Sequence, residues 1–92
     1  MPFVQTSVVT SDGSITTAPA RVYGVLSAAG APGGLWQLND STDDSGTDLI
    51  SGFAQASSQT YIDLSQSPVQ FSTGIRADLP GSNQILTVFY TS

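Results

Sequence analysis

The chain has no cysteine and no histidine. Without cysteine there is no disulfide framework, no thiolate metal site and no nucleophilic thiol. Without histidine, neither a Ser-His-Asp nor a Cys-His arrangement can be assembled within one subunit, and the commonest general acid–base group is missing. Lysine and glutamate are absent too: all seven acidic residues are Asp, and the two basic residues are Arg21 and Arg76. Lys and Glu populate helix surfaces, so their loss argues against surface helices. Two isolated arginines in a chain of net charge −5 form no phosphate-binding patch, which argues against nucleic acid and anionic membranes as partners. No run approaches the roughly 18 apolar residues of a membrane span. The opening MPFVQ lacks the basic start of a signal peptide, so the chain is expected to be soluble, made in a cytoplasm and not exported by a signal of its own.

What is present is Ser, Thr, Gln and Gly between short apolar-alternating segments. Ninety-two residues make one domain, residues 1–92. A chain of 9.5 kDa is expected to bury roughly 60–65% of its unfolded surface, leaving about 5,000 Å² exposed. That suffices to fold alone with little margin, and with no disulfides available, association with other subunits is the expected supplement.

Residues 3–10 (FVQTSVVT) read as a first strand ended by the turn SDGS, and Ile15 and Thr16 as a short edge strand. Residues 1–14 are a candidate exchanged or docking N-terminal arm. Residues 21–29 (RVYGVLSAA) are a second strong strand, with Val22, Gly24, Leu26 and Ala28 expected on one side and Tyr23, Val25 and Ser27 on the other. The Gly-rich GAPGG at 30–34 is a reversal. Strands follow at 35–39, 47–53 and 60–64, and residues 69–79 (VQFSTGIRADL) show the cleanest period-2 alternation in the chain. After the turn PGSN at 80–83, residues 84–91 close the domain. About seven or eight short strands with turns every 8 to 12 residues predict an all-β fold, a single small antiparallel β-sandwich or jelly-roll-like domain.

Three constellations bear on chemistry. Asp40, Asp43, Asp44 and Asp48 cluster on one polar loop, a candidate Ca²⁺ site because the ion takes six to eight oxygen ligands. The EF-hand pattern fails there: Gly46 is misplaced and Ser51 stands where a bidentate Glu is needed, so the expected reading is a solvated turn. Asp63 and Asp78 are expected to be charges on a solvent-facing strand surface. Among the aromatic residues, Trp36 follows Gly33 and Gly34 and is a candidate surface anchor for a sugar or a neighbouring subunit, set against the plainer reading that it fills a small β core. Arg21 and Arg76 are candidate interface residues, expected to pair with Asp between strands or between subunits. No catalytic residue and no cofactor is expected.

The order of segments resembles a group of small virion proteins of tailed bacteriophages. The residues that carry the likeness are RVYGV at 21–25, the Gly-rich bend, WQLND at 36–40 and SGTDLI at 45–50. YIDL at 61–64, VQFSTGIRA at 69–77 and VFY at 88–90 continue it, so it spans roughly residues 15–91. It implies a β-sandwich or jelly-roll subunit located in the virion and assembled in the host cytoplasm. The leading expectation is a capsid decoration (cement) protein docked on the major capsid protein as a homo-oligomer, a trimer being one form. The alternatives are a tail, baseplate or fibre connector contacting other virion proteins, and a carbohydrate-binding module for host attachment.

Overall fold

The computed structural model describes residues 4–30, 33–42, 46–79 and 84–91. Nine strands run through these residues, with no helix among them: β1 (Gln5–Val9), β2 (Gly13–Thr16), β3 (Ala20–Ala29), β4 (Gly34–Asp40), β5 (Thr47–Ala54), β6 (Ser58–Asp63), β7 (Val69–Phe71), β8 (Ile75–Asp78) and β9 (Gln84–Thr91). They form two sheets, one ordered β1-β9-β3-β6 with β7 also on β3, the other β2-β8-β4-β5. Every pairing is antiparallel. The fold is a small all-β sandwich, as the alternation predicted.

The consecutive pairs β1–β2 and β5–β6 each pass from one sheet to the other at an edge. Each flank of the sandwich therefore carries two edge strands, one from each sheet. The described turns at 10–12 and 17–19 are short, and the turn between β5 and β6 is tied to the end of β3 by Ser57 N–H donating to the Gly30 carbonyl at 3.0 Å.

Between the sheets lies a largely apolar interior in which Trp36, Phe71, Leu38, Ile75, Leu86, Val22, Val25 and Val88 are fully buried. Burying each of these large side chains contributes about 1.5–3 kcal/mol, which is what holds sheets of such short strands together. The accessible surface, 4998 Å², matches the size expected of a compact monomer of this mass.

Two expectations need correction. Residues 69–79 are not one strand: Val69–Phe71 belongs to the first sheet and Ile75–Asp78 to the second. The alternation persists across the break because Phe71, Ile75, Ala77 and Leu79 all point into the same core from opposite sides. A strand that changes sheets keeps its period while its partners change, so periodicity alone does not reveal the crossing.

In β3 the two faces were assigned without a bulge. Val22 pairs with Tyr90 and Gly24 with Phe89, leaving Tyr23 as an extra residue. That insertion moves the inward face from Val22 to Val25 and Ser27, and turns Leu26 and Ala28 outward. Within the candidate N-terminal arm, Gln5 to Val9 pairs with β9 as an edge strand of the first sheet.

Candidate functional site

The acidic loop was the one candidate for metal chemistry. Asp43 and Asp44 lie outside the described residues. Asp40, at the end of β4, turns its carboxylate towards the chain crossing between β7 and β8. Its Oδ1 accepts hydrogen bonds from the backbone N–H of Thr73 at 2.7 Å and of Gly74 at 3.4 Å. The Thr73 bond, more than any other influence, holds the Asp40 carboxyl below the ordinary carboxylate range; partial burial opposes it. Asp48 sits exposed on β5 opposite Asn39. Among the described residues no three carboxylates converge as metal ligands would.

A second carboxylate does similar work at the other end of β8. Asp12, in the β1–β2 turn, accepts from the Leu79 N–H at 2.7 Å. Asp63 caps its own turn by accepting from the Ser65 N–H at 3.0 Å, and that bond lowers its pKa. Asp12 and Asp40 thus bracket β8, a four-residue strand paired with β2 on one side and β4 on the other. Asp78, expected on the solvent side, is half-buried on β8 opposite Gln37.

The interface candidates separate on inspection. Trp36 is 1% exposed: it packs in the core over Gly52, the residue opposite it on β5. A surface anchor at Trp36 is therefore ruled out for this fold, and the plainer reading holds. The glycine opposite leaves room for the indole, a feature that single-strand patterning does not show. Arg21 is exposed on β3, and its Nε donates to Gln70 Oε1 on β7 at 2.8 Å rather than to an Asp. Gln70 in turn donates from Nε2 to the carbonyls of Ala20 and Phe71, both at 3.1 Å, tying β7 to β3. Arg76 is half-buried on β8 between Ser14 and Asn39, and its Nε is buried without a hydrogen-bond partner.

One shallow, open depression is lined by Ala28, Ala29, Ser57, Ser58 and Gln59, none of which titrates near neutral pH. The more distinctive surface is apolar and lies on the strands. Because opposed residues share a face, Val8, Thr87, Leu26 and Tyr61 form one outward row across β1, β9, β3 and β6. Tyr61 meets Phe89 edge to face, with ring centroids 5.9 Å apart. On the other sheet, Leu35 and Phe53 stand opposite each other, 56% and 59% exposed. Val8, Leu26, Leu35 and Phe53 read in the sequence as ordinary strand positions, and Tyr61 and Phe89 as aromatics that either stack on a sugar or fill the core; which face looks out is fixed only once the sheets are stacked.

Fold and surface together define a small antiparallel β-sandwich in which Asp12, Asp40 and Asp63 brace the chain's own backbone and exposed apolar residues lie on the strands. No family model, curated protein or solved structure matches the chain. No helix among the described residues is long and apolar enough to cross a membrane.

Proposed function

We propose that this chain is a non-enzymatic structural subunit that works by docking its strand surfaces against other proteins. The assembly proposed for it is a tailed-bacteriophage virion, with a decoration role on the major capsid protein. The observation that carries the docking role is the division of labour among side chains. Asp12, Asp40 and Asp63 are spent on backbone N–H groups, while Val8, Leu35, Phe53, Tyr61 and Ile85 stand in solvent. A subunit of this kind stabilises an assembly by mass action, because binding only the assembled shell lowers that shell's free energy. The virion assignment rests on the strand-and-turn likeness described from the sequence. The depletion of positive charge suits a protein on the outside of a DNA-filled shell.

Cryo-electron microscopy of purified particles, combined with quantitative mass spectrometry, tests the proposal. The chain is expected on the capsid exterior in hundreds of copies. A small copy number confined to the tail would replace the decoration role with a connector role, and absence from particles would overturn both.

A further inference from the structure

The four edge strands are not equally protected. An open edge presents unpaired N–H and C=O groups to any other strand, and proteins blunt such edges with charge, proline, bulges or covering loops. On β2 the register shifts between Ser14 and Thr16. On β5 it shifts where Leu38 and Asn39 face Ile50 and Asp48, leaving Leu49 as an extra residue. β6 ends in Asp63 and the turn closed by Ser67 N–H on the Leu64 carbonyl, which stands at the same flank of β3 before β7 resumes it. Among the described residues, β1 has no bulge, charge or proline. Gln5–Val9 pairs with β9 in unbroken register, and its sequence QTSVV carries no charge and no proline.

Charge placement points the same way. The net charge of −5 makes two copies repel except where both are neutral. β1 and its neighbour β9 (QILTVFYT) contain no charged residue, and both Val8 and Ile85 are exposed on that side. Strands β1 and β9 themselves therefore set no carboxylate against an approaching second copy.

We propose that a second copy of this chain docks there, by antiparallel pairing of β1 with β1 about a two-fold axis at Ser7. Full pairing of a five-residue strand with itself centres on its middle residue, so Ser7 faces Ser7, Thr6 faces Val8 and Gln5 faces Val9 of the second copy. The pairing is isologous and closes on itself. It joins the two β1-containing sheets into one continuous sheet and consumes both bare edges. It does not depend on the virion assignment.

The chain's lack of cysteine makes the test direct. Directly opposed residues in an antiparallel pair have Cα atoms about 4.5–5.5 Å apart, within disulfide reach. Ser7→Cys is expected to oxidise to a covalent dimer, whereas Ser58→Cys on the β6 edge stays monomeric under the same conditions. Light scattering of the wild type should show a monomer–dimer equilibrium that strengthens with salt, as screening weakens the repulsion. The double variant Thr6→Glu, Val8→Glu places four carboxylates around the axis and is expected to remain monomeric with an unchanged circular dichroism spectrum. A wild type that is monomeric at every concentration overturns the proposal. So does a double variant that dimerises like the wild type, or cross-linking at Ser58→Cys equal to that at Ser7→Cys.

Discussion

The Asp40 carboxylate accepts a 2.7 Å hydrogen bond from the backbone N–H of Thr73, thirty-three positions along the chain. It fastens the end of β4 to the segment that carries the chain from one sheet to the other. A crossing segment has no ladder partner for its N–H groups, so a charged acceptor there replaces what a neighbouring strand would supply. Asp40→Ala is expected to lower stability by about 1–2 kcal/mol, the cost of unpairing donors that water partly reaches. Urea denaturation of the two proteins at neutral pH measures it.

The same bond predicts an acid dependence. The folded Asp40 pKa lies below its ordinary 3.8, so the carboxylate's contribution is complete above that value and is lost as pH falls through the lowered folded pKa. The stability gap between wild type and Asp40→Asn should therefore be constant from neutral pH down to about 4, then narrow as the pH drops further. A gap that widens on acidification would show the sign to be wrong.

Trp36 and Gly52 give a steric prediction. A Cβ added at Gly52 would stand 2.6 Å from Trp36 Cζ2, and the indole is locked inside the core. Gly52→Ala should cost about 1–3 kcal/mol by overpacking. At Gly24 the three atoms nearest an added Cβ are the hydroxyl, Cζ and Cε1 of Tyr61, a ring 53% exposed that can swing aside, so Gly24→Ala should cost less. Thermal unfolding of the two variants side by side tests the order. The lone tryptophan should also emit in the blue-shifted range of a buried indole and resist iodide quenching in the wild type.

Gln84 is 2% exposed, and neither its amide nitrogen nor its amide oxygen has a hydrogen-bond partner. A buried amide without partners forfeits its hydration for nothing in return. Gln84→Met, of similar length and apolar, is expected to raise stability by about 1 kcal/mol, read as a higher denaturation midpoint with an unchanged slope.

Ser57 has φ of 56° in the β5–β6 turn, a left-handed conformation that costs an L-residue roughly 1 kcal/mol. Its backbone N–H bond to Gly30 survives any side-chain change. Ser57→Gly should stabilise the domain by about 0.5 kcal/mol, the relief of strain being partly offset by the freer unfolded chain. A fall in melting temperature would contradict this.

The sequence by itself determined the all-β class, the sandwich and the positions of most strands. Alternation and turn residues are local properties, and segments such as 21–29 and 84–91 can bury one face only as strands in a sheet. The missing histidine and cysteine likewise excluded whole chemistries before any fold was known. Tertiary structure alone decided that 69–79 serves two sheets, that the Tyr23 bulge reverses the inward face of β3, and that Trp36 lies in the core over Gly52. It also decided that Asp40 and Asp12 brace β8 and that β1 pairs with β9 in unbroken register at a sheet edge. Each of these depends on which distant strand comes to lie alongside. Residues dozens of positions apart set that through shared burial and hydrogen bonding, and a period-2 pattern carries no record of its partner.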